Sequence, residues 1–163
     1  MLRQCIADND IERGIQLYQE FKASKIPMNV VMFNWLLELC ASAIERGRLT
    51  SPATAEPIPE FARRVFSDMR DYAEILPNTI TYNILLKIHT REAIATAKQN
   101  PELSDTAENT CRYLIAEMRS LPDTKPDAIT YSTLLELYVF RRDLAGAISI
   151  VNEAVLSLHA GSP

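Results

Sequence analysis

Apolar residues recur along this chain with a helical beat. Phe33, Leu36, Leu37 and Cys40 fall at i, i+3, i+4 and i+7, one face of a helix. Phe61, Val65, Phe66 and Met69 follow the same face logic on a second segment. Polar clusters with Pro, Asn or Asp separate the apolar runs, as turns and helix starts require. The pattern predicts amphipathic helices in antiparallel pairs.

The beat is also a repeat. Val30–Leu39, Thr79–Ile88 and Ala128–Leu137 align at a constant spacing of 49 residues. At one position stand Met32, Thr81 and Thr130; an aromatic follows (Phe33, Tyr82, Tyr131), then a small polar residue (Asn34, Asn83, Ser132), then a Leu-Leu pair after one more residue. The second helices keep time: Asp68-Met69-Arg70 matches Glu117-Met118-Arg119. A truncated copy over 11–29, closing at Ile26 to Asn29, precedes them, and a last copy runs from Asp143 to Glu153. The expected units are therefore 1–29 (truncated, beginning within a helix at Met1), 30–78, 79–127 and 128–163 (incomplete). Each is a helix pair that cannot bury its own apolar face, so stacking is the predicted solution. The expected fold class is all-α: a superhelical α-solenoid of about 3.5 antiparallel helix pairs, seven or eight helices in all, with extended segments between the helices of a pair.

Local detail refines this. The stretches 49–59 and 98–104 read as inter-helix loops, with Ser104 as N-cap of the helix ending near Arg119. Ala93–Lys98 is a good helix former, so the first helix of unit 79–127 is expected to run long. Gly14, Ala62, Cys111 and Ala147 place a small residue near one point of every second helix, where two helices can approach closely. Gly14 in a helix costs about 1 kcal/mol against Ala, which close packing would offset.

Composition narrows the classes. No run of 18 apolar residues exists, so no membrane insertion is expected. The first ten residues, with Asp8 and Asp10, resemble neither a signal nor a transit peptide. Cys5, Cys40 and Cys111 are far apart within apolar patterns and read as buried free thiols; with only His89 and His159 beside them, neither a metal site nor a cofactor is expected. The net charge of −4 and a pI near 5.2 argue against indiscriminate phosphate binding. Arg63-Arg64 and Arg141-Arg142 could contact phosphate or simply be solvated helix corners.

The Thr-Tyr-Asn-x-Leu-Leu opening at Thr81–Leu86 and the closing Lys-Pro-Asp at Lys125–Asp127 resemble the pentatricopeptide repeat family over nearly the whole chain. The 49-residue unit departs from that family's shorter one. The resemblance implies single-stranded RNA as partner, with one base per unit read by the polar residue early in the first helix together with the last residue of the unit. Carried over, the pairs are Asn34 with Asn78 and Asn83 with Asp127; Asn29 and Ser132 stand without partners. Val31, Ile80 and Ile129 would pack against base faces. Asn-with-Asp implies uracil and Asn-with-Asn implies cytosine or uracil, hence a pyrimidine preference. The first helices would line the concave face, and the resemblance implies an organelle, mitochondrion or plastid, and a role in RNA processing.

Other readings of the same residues stand beside it. An Asn at a helix start is often only a cap, and the aliphatic residues could be ordinary packing. The acidic pI suits a protein-interaction scaffold, or a structural subunit of an organellar ribonucleoprotein such as a mitochondrial ribosome. A third possibility is the RNA-binding arm of a processing enzyme whose catalytic domain lies elsewhere. Within these residues no enzyme is expected: Glu12, Glu20, Glu38 and Glu136 share no spacing that would converge them, and no phosphate loop or nucleophile motif appears. The distribution of Lys and Arg on the inner face is the discriminator between RNA and protein.

Overall fold

The computed structural model describes residues 2–24, 27–52, 55–72 and 75–160, without the side chains of 158–160. Met1, Ile26, part of the 49–59 segment and the His159 side chain lie outside that description. Among the described residues the chain forms α1 (Leu2–Asp8), α2 (Ile11–Ala23), α3 (Val30–Glu45), α4 (Ile58–Asp71), α5 (Thr79–Thr96), α6 (Pro101–Ser120), α7 (Ala128–Arg141) and α8 (Leu144–Ala160). The only extended pairing among them is a single bridge between Thr50 and Pro57. The chain is an all-α repeat solenoid.

The first helices α3, α5 and α7 begin where a side chain can satisfy orphan amides. Asn29, Asn78 and Asp127 each accept from the backbone N–H three residues on, at 3.0 Å. At Asn78 and Asp127 the cap is reciprocal, because Thr81 and Thr130 return a hydroxyl oxygen to the cap's own N–H. Met32 stands at that position in α3 and returns nothing. Helix α3 stops at Gly47, whose φ of +80° suits a residue without Cβ, and whose N–H reaches Ile44 O.

Two local expectations need correction. The segment 98–104 is not a loop to its end, and Ser104 is not an N-cap. Asn100 is the cap, accepting from Leu103 N at 3.1 Å, and Pro101 takes the first helical position. Proline has no N–H to lose there and its φ is preset. The extra residues of this unit lengthen α5 to 18 residues and α6 to 20. Ser104 is instead fully buried and donates to Ala93 O at 2.7 Å, tying α6 to α5. The loop between α3 and α4 is folded back on itself, with Ile58 N–H on Leu49 O and Ser51 N–H on Glu56 O.

The units stack by two different means. First helices pack directly: α1 on α3, α3 on α5, α5 on α7. Phe33, Leu36, Leu37, Tyr82, Leu85, Leu86, Leu134 and Leu137 are all nearly inaccessible there. Close approach explains Gly14, since a Cβ at that position would lie 2.1 Å from Leu39 Cδ2. Second helices instead reach one another through side chains. Lys22 pairs with Asp68 at 2.8 Å, Arg70 with Glu117 at 3.0 Å, and Arg119 with Glu153. These are equivalent positions one unit apart, so they form a ladder. Packing thus joins the units along the first helices, the inner edge of each junction, and ionic reach joins them along the second helices, its outer edge.

Candidate nucleic-acid interface

The two predicted pairs come together, each across a junction between units. Asn34 sits at the fifth position of α3 and Asn83 at the fifth of α5, so neither is itself a cap. Asn34 Nδ2 donates to Asn78 Oδ1 at 3.4 Å, and Asn83 Nδ2 donates to Asp127 Oδ1 at 3.0 Å. The acceptor in each case caps the next first helix. The threonine of that capping box completes the set: Thr81 Oγ1 donates to Asn34 Oδ1 at 2.8 Å, and Thr130 Oγ1 to Asn83 Oδ1 at 2.6 Å. Thr81 and Thr130 are fully buried. They are the members of this network that reading the sequence for base contacts passes over. Their signal was present as the cap-x-x-Thr spacing of Asn78 to Thr81 and Asp127 to Thr130.

The network leaves capacity for a ligand. A side-chain amide has two N–H donors and two acceptor lone pairs. Each Asn spends one of each on its junction, so one donor and one acceptor remain. The amides are recessed, with Asn34 at 8% and Asn83 at 7% exposure, so only their edges meet solvent. Burial raises the pKa of the Asp127 carboxyl, but the N–H and O–H donors from Thr130, Asn83 and Ile129 outweigh it and hold it below the ordinary value. Asp127 is therefore an acceptor at neutral pH.

The unpartnered positions differ. Asn29 is exposed and serves as the α3 cap. Ser132 is exposed and turns its hydroxyl back to Ile129 O at 2.9 Å. Val31, Ile80 and Ile129 stand 47%, 59% and 61% exposed beside these sites, outside the core. They offer an aliphatic surface at each unit's entrance.

The charges of the first helices cancel. Lys87 lies 3.5 Å from Glu38 and 3.3 Å from Glu45, and Arg91 pairs with Glu136. Three of the four arginines named from sequence are likewise engaged: Arg63 by Glu60 and Glu92, Arg64 by Glu56, and Arg141 by Asp105 and Glu108, while Arg142 is exposed and makes no ion pair among the described residues. The face of the first helices is therefore neutral rather than basic, so electrostatic attraction for phosphate is weak there.

Elsewhere the titratable groups are structural. His89 is buried, with Nδ1 2.8 Å from Glu92 and Arg63 on the carboxylate's other side; burial lowers its pKa. Burial pushes the Cys111 thiol up to about 12 and raises those of Cys40 and Cys5, so these free thiols stay protonated. Glu12, Glu20, Glu38 and Glu136 each face a different cation: Arg48, Arg13, Lys87 and Arg91. No helix among the described residues is long and apolar enough to cross a membrane.

Comparison with known proteins returns two findings. Residues 1–159 match the family described as the pentacotripeptide-repeat region of PRORP. A chloroplastic pentatricopeptide repeat-containing protein of Arabidopsis thaliana is 31% identical over 76 residues, which are 47% of this chain and 9% of that protein. The match thus spans less than a tenth of that relative's length.

Proposed function

This chain belongs to the pentatricopeptide repeat family, and from that premise we propose that its inner face binds single-stranded RNA, one base to a unit. The observation that carries the reading is the pair of inter-unit junctions. Asn34 with Asn78 and Asn83 with Asp127 each converge beside an exposed aliphatic residue, and each Asn keeps an unused donor and acceptor. The Asn83–Asp127 pair offers a donor and a carboxylate acceptor side by side, a match for the uracil edge with its carbonyl and its N3–H. The Asn34–Asn78 pair, its orientation fixed by Thr81, sets amide N–H donors beside carbonyl acceptors, which suits cytosine or uracil. Val31, Ile80 and Ile129 are the surfaces on which base faces would rest. Asn29 and Ser132 contribute incomplete sites at the two ends.

Binding of this kind is non-catalytic and modest. A good base contact is worth about 1–3 kcal/mol, and association costs about 4 kcal/mol or more. With Lys87 and Arg91 neutralised, phosphate contacts add little, so further units or partners would supply the remaining affinity. The neutral inner face is also the observation that favours the second reading, a scaffold or subunit of an organellar ribonucleoprotein. An organellar setting follows the chloroplastic relative and does not distinguish plastid from mitochondrion.

Selection of ligands from a random RNA pool tests the proposal. Pyrimidine-rich winners, lost with Asn34→Ala and Asn83→Ala, are expected. Purine-rich winners, or none, would remove the base-reading role and leave the scaffold.

A further inference from the structure

Each reading asparagine is held at two points, and both holders belong to the capping box of the following unit. Asp127 takes the N–H of Asn83 and Thr130 donates to its Oδ1; Asn78 and Thr81 hold Asn34 in the same way. A hydroxyl has one proton to give. Thr130 Oγ1 already accepts from the Asp127 N–H at 3.0 Å, and Thr81 Oγ1 from the Asn78 N–H at 3.1 Å. The proton of each then has the asparagine Oδ1 as its nearest acceptor, at 2.6 Å and 2.8 Å, ahead of the cap oxygens at 3.1 Å and 3.0 Å.

The two holders do different things. The cap oxygen decides which end of the amide faces it, since a turned-over amide would set oxygen against oxygen. It does not fix the plane, because the terminal torsion of an asparagine is soft. The threonine hydroxyl supplies the second point and pins that plane. Both threonines are wholly inaccessible, so water does not replace the hydroxyl when it is removed. Met32 stands at this place in α3, and the Asn29 junction therefore has no such clamp.

A pinned plane is what telling pyrimidines apart requires. Uracil presents a carbonyl beside an N–H, and cytosine an amino group beside a bare ring nitrogen, so donor and acceptor exchange places between them. An amide that swings meets either pattern. One that is pinned presents its remaining donor in a single place. On the reading of the inner face as an RNA site, we propose that Thr130 and Thr81 determine base selectivity without touching a base, each by positioning the asparagine of the unit before it. At Asn83 with Asp127 the base so selected is uracil.

A double-mutant cycle read in selectivity tests this. Fluorescence anisotropy of oligouridine and of oligocytidine against the full chain gives the preference for uracil. Thr130→Val should lower that preference about tenfold, the discrimination of one good base contact. Thr130→Ser keeps the hydroxyl and should keep the preference. With Asn83→Ala already in place, Thr130→Val should change it no further. Loss of a mere helix cap would instead weaken both oligonucleotides alike, in either background. The unliganded chain gives an independent reading. Hydrogen exchange of the Asn83 side-chain amide, followed by nuclear magnetic resonance, should quicken with Thr130→Val and not with Thr130→Ser. Should circular dichroism show Thr130→Val unfolded, Thr81→Val applies the same cycle with Asn34, read with oligocytidine and oligoadenosine. Selectivity unmoved by the valine, moved equally without the asparagine, or lost with the serine would overturn the proposal and leave RNA binding standing. An amide protected by Thr130 in a chain that binds neither oligonucleotide would overturn the RNA reading, and the selectivity role with it.

Discussion

The inner and outer edges of each junction solve the same problem with opposite chemistry. Inside, α3, α5 and α7 press apolar surfaces together and lock register with a buried, neutral network: Asn34, Asn78 and Thr81 at one junction, Asn83, Asp127 and Thr130 at the next. Outside, half-exposed Lys22, Arg70 and Arg119 span the gap to carboxylates. A buried network loses heavily when one member goes, because its neighbours are stranded. A solvated ion pair loses little, because water replaces the partner. Inner residues should therefore govern stability and register, and outer ones should tolerate change.

The sharpest test of that contrast is packing. Leu86→Ala on α5 removes a fully buried side chain and should cost about 2–5 kcal/mol in urea unfolding. Next comes the network. Thr130→Val keeps the shape but strands Asn83 Oδ1 and the Asp127 N–H, and should cost about 1–3 kcal/mol in the same measurement. Arg70→Ala breaks the outer pair with Glu117 and should cost at most about 1 kcal/mol. A loss at Arg70 as large as that at Thr130 would erase the distinction.

The smallest effect is that of acid. Asp127 has a folded pKa below its unfolded one, so its contribution is complete above the unfolded value, about 3.9, and fades as pH falls through the folded value. Acid unfolding of Asp127→Asn should therefore show a shallower stability loss below about pH 4 than the unaltered chain.

The fold was largely legible because its signals are local and periodic. Asn29, Asn78 and Asp127 mark helix starts by their own chemistry, and the 49-residue beat aligns the units. Gly14 declared a close contact by being costly in a helix. Asn100-Pro101 misled, since the same dipeptide suits a loop and a helix start, and burial of Ser104 decided it. The positions of the candidate site were legible by register, but its wiring was not. That Thr81 and Thr130 join neighbouring units depends on how far one helix end stands from the next. The outer ladder was hidden likewise: acid-x-base triplets such as Asp68-Met69-Arg70 mark the repeat, but only stacking sets each cation beside the next unit's acid.

The most direct test of the inner face is fluorescence anisotropy of a pyrimidine-rich single-stranded RNA over a salt series, beside a purine-rich control. Saturable binding that prefers pyrimidine, depends weakly on salt, falls with Asn34→Ala and Asn83→Ala and survives Arg70→Ala is the predicted result. No binding at low salt, where even weak electrostatic attraction registers, or binding indifferent to the two asparagines, would contradict base reading by these junctions.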